Sequence, residues 1–178
     1  MPKLKLLILD AGVVIKLHTL GLWSKVVDKC DVHLSSIVAD RESRFYRVAG
    51  DDWDLDIDLR ADIASGSVTV FDSPAVAMSR FKSLFDTEYF VDLDDGEAES
   101  LAFLVDQRED YLISSGDAIV YKVLGNLNLT ESGISLEEIL QQIGLNSKMD
   151  EWQYTKKFRE KFTAIGAQDM IQGRGRKR

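Results

Sequence analysis

Apolar and polar positions along the chain change period several times, and each change predicts an element. Residues 4–9 form a short, mostly apolar run of strand length, the pattern of a strand buried on both faces of a parallel sheet. It ends at Asp10, Ala11 and Gly12, which read as a strand-to-loop turn. Helical spacing follows over 13–17 and 20–27, then a second short strand over 30–34. Ser35 and Ser36 read as a cap before a helix over 37–48. From 52 to 59 the period is two. Trp53, Leu55, Ile57 and Leu59 alternate with Asp52, Asp54, Asp56 and Asp58, which predicts a strand or hairpin arm with one wet face. Ser65-Gly66-Ser67 is a turn, 68–71 a strand, and Ser73-Pro74 opens a helix to about 85 with proline at its first position. Helices are predicted over 93–105 and 118–124, on either side of a strand at 111–113 that ends in Ser114, Ser115, Gly116 and Asp117. Ser135 and Glu138 have capping-box spacing and open a helix to 143.

Strands alternating with helices predict an α/β fold, a three-layer α/β/α sandwich around a mostly parallel central sheet. That unit occupies 1–145. Over 146–171 the character changes: Trp152, Tyr154, Phe158 and Phe162 are set among Lys156, Lys157, Arg159 and Lys161, an amphipathic helical extension. Simple packing against the core or a second subunit accounts for these aromatics. Residues 172–178 carry Arg174, Arg176, Lys177 and Arg178 with Gly173 and Gly175, and read as a disordered basic tail.

Composition narrows the chemistry. The chain has 178 residues, 45% hydrophobic, enough for one real core, and its net charge of -8 confines any nucleic-acid contact to a local basic patch. One cysteine, Cys30, excludes an intramolecular disulfide and reads as a core residue, while His18 and His33 read as structural. These few side chains cannot build a His/Cys zinc site, so a bound metal would have oxygen ligands, which points to Mg²⁺ or Mn²⁺. The first apolar run, 6–15, is broken by Asp10 and lacks signal-peptide flanks, and no run approaches membrane-spanning length. A cytoplasmic protein without membrane contact is expected.

Four carboxylates crowd the start of the 93–105 helix. Asp94 and Asp95 read as caps and turn formers; Glu97 and Glu99 lie in the first turn, where the helix N-terminus favours acidic groups. Glu99 reads as facing solvent or a neighbour. Ligands of parallel sheets bind beyond the carboxyl ends of strands. Asp10 and Asp117 stand at two such ends, and Glu97, at a helix N-terminus, can reach the same edge. Clustered carboxylates repel one another unless a cation neutralises them. A divalent ion held there activates water and polarises a phosphoryl oxygen, which suits phosphodiester hydrolysis. Singly, each acid has an ordinary explanation as a cap or turn former; only their matched positions favour a site.

The order and local motifs resemble the PIN-domain ribonucleases, particularly the prokaryotic branch with a GEAE-type helix start. LLILDAGVVIKL is similar to that family's opening strand, and Asp10 takes the place of its metal ligand. SSIVADRESRFY, residues 35–46, resembles the second motif; Glu42 fits its acidic position best, with Asp40 the competing choice. DIDLRADIASGSVTVFD resembles a connecting region of this branch. LDDGEAESLAFL matches the third motif through Glu97, with Glu99 beside it, and LISSGDAIVYKVLG the fourth through Asp117. ISLEEILQQIG looks like the closing helix. The resemblance covers about residues 4–145. It implies a divalent-metal-dependent endoribonuclease in which Asp10, Glu42, Glu97 and Asp117 hold one or two Mg²⁺ or Mn²⁺ ions and activated water attacks RNA. It also implies a homodimer, and a toxin role with an antitoxin protein as partner.

Many relatives carry Asp or Thr-Asp where this chain has Ser114 and Ser115, hydroxyls that can hold a water on the metal but are weaker ligands. That departure fits the alternative of a weakened PIN-like module that binds RNA or protein, with Trp152 or Tyr154 stacking on bases and the lysines meeting phosphates. The opening strand also looks like that of haloacid-dehalogenase-type phosphatases. Those need a second Asp two positions on, where this chain has Gly12, and their downstream Lys and acidic-pair motif is not found.

Overall fold

Leu7, Ile8 and Leu9 are fully buried, so the first strand is covered on both faces, as its apolar run requires. The computed structural model describes residues 4–107 and 109–177, with Lys5 described by its backbone alone. Residues 1–3, 108 and 178 lie outside it, and with them the first three residues of the 1–145 unit and the last of the basic tail. In chain order the principal elements are β1 (Leu4–Leu9), α1 (Ala11–Thr19), α2 (Trp23–Lys29), β2 (Cys30–Ser35), a π-turn (Val38–Glu42), β3 (Phe45–Tyr46), β4 (Leu55–Asp56), α3 (Arg60–Ala64), β5 (Val68–Phe71), α4 (Ala75–Lys82), α5 (Thr87–Asp92), α6 (Asp95–Asp106), β6 (Leu112–Ser114), α7 (Ala118–Asn126), α8 (Leu136–Gln142) and α9 (Lys156–Ile171).

The central sheet has the order β5-β2-β1-β6, and every pairing in it is parallel. Side chains alternate between two helical layers, as the strand period dictates. Leu7, Leu9, Val32 and Leu34 join α1, α2 and α8 on one face; Ile8, Phe71 and Ile113 join α4 to α7 on the other. This is the predicted α/β sandwich. Its sheet carries one reversal. The chain steps outward from β1 to β2 to β5, then lays β6 on the other side of β1. The crevice at such a reversal, beyond the strands' carboxyl ends, is where ligands of open parallel sheets bind. Here it lies between the ends of β1 and β6.

Several expectations change. Asp10, Ala11 and Gly12 are not a loop: Asp10 caps α1, which begins at Ala11. The helix predicted over 37–48 is only the five-residue π-turn, because Phe45 and Tyr46 leave it to pair antiparallel with Asp56 and Leu55. Aromatics favour strands, and Tyr46 is held by its ring contact with His18. Of the alternating stretch 52–59 only Leu55 and Asp56 pair as strand, and Trp53, expected on the apolar face, is exposed. Helix α5 was not predicted; Asp86 caps it, accepting from the Tyr89 amide.

The C-terminal extension is joined to the body rather than appended to it. A methyl at Gly166 would collide with the Lys122 carbonyl, and one at Gly125 with the Thr163 carbonyl, so α7 and α9 touch backbone to backbone. Phe158 enters the core, and Arg159 makes a two-bond pair with Glu138 at 2.7 and 2.8 Å. The predicted disordered tail also docks. Asp86 and Gly175 exchange hydrogen bonds, Arg176 Nε donates to Asn126 at 2.8 Å, and the Lys177 amide donates to Leu84. Composition suggested disorder; the Leu84 carbonyl, the α5 cap Asp86 and the buried Asn126 side chain supply the partners that order it. Among the described residues no helix is long and apolar enough to cross a membrane.

Candidate metal centre

Asp10 extends β1 by one residue. Its amide donates to the Ser114 carbonyl at 3.0 Å, so the β1-β6 ladder runs up to the carboxylate. One oxygen, Oδ1, accepts from the Ala11 amide at 2.8 Å, the N-cap bond of α1. The other accepts from the Ser115 hydroxyl at 2.8 Å. Ser115 Oγ in turn accepts from the Asp117 amide at 2.9 Å, so a single hydroxyl couples the two acidic segments. The buried Tyr121 phenol accepts from the Ser115 amide and lies within donating distance of the Ser115 carbonyl, which holds the loop in place. Asp117 occupies the N-cap position of α7, yet its carboxylate makes no capping bond.

Glu97 arrives by topology. A helix that crosses between parallel strands runs back along them, so the N-terminus of α6 lies at the strands' carboxyl edge. Asp94 and Glu97 form a reciprocal capping box there, with bonds of 2.7 and 3.1 Å. The box fixes the Glu97 side chain, which is 2% exposed. Glu99 serves a different purpose. It does not face solvent: its carboxylate is buried and accepts from the Ile37 and Ser73 amides, both at 3.1 Å, and from the Ser36 hydroxyl. Those donors follow the carboxyl ends of β2 and β5, so Glu99 fastens α6 to the sheet edge just past its first turn.

One carboxylate oxygen each from Asp10, Glu97 and Asp117 lie within 4.8 Å of one another. Asp10 and Glu97 are buried and Asp117 is exposed, so the cluster opens to solvent on the Asp117 side. Burial pushes Asp10 up to about 6, with Asp94 and Asp117 adding repulsion. Burial pushes Glu97 up to about 9, helped by the charges of Asp10 and Asp94. Carboxylates crowded out of water with only like charges weighing on them are what a divalent cation neutralises, and all three offer hard oxygen donors. The residues therefore fit such an ion.

Glu42 stands beside this group and is not one of the three. It ends the π-turn, and its carboxylate lies against the backbone of Gly96, where any Cβ would collide with it. Burial pushes it up to about 7, with Asp94 and Asp10 repelling it, so it belongs to the same acidic pocket. Asp40, its competitor, is exposed and lines a separate cleft with Arg44 and Asp56. Ser114 is buried in the strand, while Ser115 supports Asp10. Three contributions were not foreseen. Asp94 caps α6 as expected but also loads charge onto Asp10, Glu42 and Glu97. Gly96 and Gly116 leave room for Glu42 and for Tyr154. Tyr154, read as packing or base-stacking, lies over the start of α1 and the turn before α7, which carry Asp10 and Asp117. The glycines beside the acids were the only trace of this in the chain.

Fold and site together define an α/β protein with a switch-point pocket of carboxylates able to hold a divalent metal ion. Comparison with protein-family models, with curated proteins and with solved structures finds no match to this chain.

Proposed function

We propose that this protein is a divalent-metal-dependent endoribonuclease of PIN type, using Mg²⁺ or Mn²⁺ held by Asp10, Glu97 and Asp117, with Glu42 as the fourth acid of the pocket. The observation that carries this reading is the approach of three carboxylates to within 4.8 Å at the topological switch of a parallel sheet. They come from three separate stretches of the chain, each at a position the sequence motifs single out. Bound there, the ion supplies Lewis acidity: it activates water and offsets charge developing on a phosphoryl oxygen. The chain's own residues do the rest. Ser115 holds Asp10 and the Asp117 loop together, the Asp94-Glu97 box sets the third carboxylate, and the open Asp117 side admits an extended phosphodiester. No side chain serves as nucleophile. A toxin paired with an antitoxin protein that covers the acidic pocket, acting as a homodimer in the cytoplasm, is the biological setting this reading carries with it.

The test follows stability and RNA cleavage while Mn²⁺ is titrated into the wild type, Asp10→Asn and Asp117→Asn. The expected result is a metal-dependent rise in melting temperature and cleavage in the wild type, both lost in the two variants. Metal-linked stabilisation without cleavage would favour the RNA- or protein-binding alternative. Hydrolysis of a small phosphoester that depends on Asp10 would favour the haloacid-dehalogenase reading. Neither stabilisation nor cleavage would remove the metal centre.

A further inference from the structure

Tyr154 enters the site region from far along the chain, 142 residues from Gly12. Its side chain is buried, and its phenol donates to the Gly12 carbonyl at 3.2 Å. The ring lies against Gly116, where an added Cβ would come within 3.0 Å of its Cε1 atom. Gly12 follows Asp10 by two residues, and Gly116 directly precedes Asp117. One side chain thus spans the start of α1 and the turn before α7, which supply two of the three carboxylates. Burial pushes the phenol up to about 12, followed by the charge of Glu151, with Asp117 and Asp10 adding to it. It therefore remains a hydrogen-bond donor at neutral pH. Its own position is well held: the Lys16 ammonium, paired with Glu151, lies 5.9 Å from the ring centroid. Two residues on, Lys156 opens α9, which is fastened to α7 at Gly125 and Gly166 and to α8 through Arg159 and Glu138.

We propose that Tyr154 is a positioning residue of the metal centre: by bridging Gly12 and Gly116 it sets the separation of Asp10 and Asp117, and with it the affinity for a divalent cation. This rests on the metal-centre reading above. It makes the C-terminal extension part of the site. Partners that support metal ligands from behind typically alter affinity by about 10- to 100-fold when removed.

The experiment compares the full-length wild type, Tyr154→Phe and Tyr154→Leu. Free Mn²⁺ is followed by electron paramagnetic resonance during titration, and melting in EDTA reports the fold. Tyr154→Phe keeps the ring on Gly116 and loses one neutral hydrogen bond, so its Mn²⁺ Kd should rise about threefold. Tyr154→Leu loses both contacts, and its Kd should rise about tenfold or more. A purely structural role would lower the melting temperature and leave the Mn²⁺ affinity of the folded protein unchanged. Equal affinity in Tyr154→Phe and the wild type overturns the proposal, whether or not Tyr154→Leu folds; a folded Tyr154→Leu that binds as tightly as the wild type also overturns it. A wild type that binds no Mn²⁺ overturns the metal reading itself and this inference with it.

Discussion

Glu97 and Glu99 sit two residues apart, so on a helix of 3.6 residues per turn their side chains leave in directions about 200° apart. Glu97 turns toward Asp10 and Asp117, and Glu99 toward the amides after β2 and β5. Their substitutions should therefore diverge. Glu99→Ala strands the Ile37 and Ser73 amides and should cost about 2–4 kcal/mol in urea unfolding without metal. Glu97→Gln keeps an acceptor for the Asp94 amide and is neutral without holding a proton that the unfolded chain would release. At pH 8 it should raise metal-free stability by roughly 1 kcal/mol or more, while Mn²⁺ no longer raises the melting temperature. A metal-free loss in Glu97→Gln as large as that in Glu99→Ala would mean both glutamates are structural. The sequence placed both carboxylates in the first turn. Which one faced the pocket depended on how α6 is rotated against the sheet; Glu99, read as facing solvent or a neighbour, is as buried as Glu97 and faces the Ile37 and Ser73 amides.

At the scale of elements, α9 was legible as a helix and its aromatics as packing against the core, but its close approach to α7 was not. Its contact with α7 runs through Gly125 and Gly166, residues that carry no apolar signal. Gly166→Ala puts a methyl into the Lys122 carbonyl, so the helices must separate. A loss of about 2–4 kcal/mol is expected in chemical denaturation, where an exposed alanine in a helix would normally stabilise. Arg159→Ala should cost about 2 kcal/mol by the same measurement. Burial opposes charge on Glu138, but the bonds from Arg159 and Ser135 outweigh it and hold the carboxyl below its ordinary value. Local periodicity failed at 37–48 for a related reason. The segment has helical spacing, but pairing with Leu55 and Asp56 claims its second half, and the remaining π-turn delivers Glu42 to Gly96.

For the whole molecule the acidic pocket predicts how stability depends on pH. The folded-state values of Asp10, Glu42 and Glu97, about 6, 7 and 9, all lie above those of free carboxyls. These three groups therefore keep protons that the unfolded chain has released, and their contribution to stability falls as pH rises, opposed in part by His18, which burial holds below the ordinary histidine value. The loss begins near the ordinary carboxylate range, about pH 4, and is complete once pH has passed the highest folded value. Asp58, at about 2, titrates below this window. A divalent cation competes with the same protons, so its stabilising effect should grow across the window as metal-free stability declines. Melting curves in EDTA and in Mn²⁺ from about pH 5 to 9 check both trends; a metal-free melting temperature that rises across that range would contradict them.

What the sequence by itself determined is local: the strands over 4–9, 30–34 and 68–71, the capped starts of α6 and α8, the alternation that implies a parallel sheet, and the acids at strand and helix ends. Neighbouring residues encode these through periodicity and capping chemistry, so no distant contact is needed to read them. Only the tertiary structure decided that Asp10, Glu97 and Asp117 share one pocket, that Glu42 stands beside it on Gly96, that the tail is pinned at Asp86, and that Tyr154 bridges Gly12 and Gly116. Those are pairings between remote positions, fixed by the reversal of strand order and by how closely helices pack, and no single stretch of sequence carries the identity of its partner.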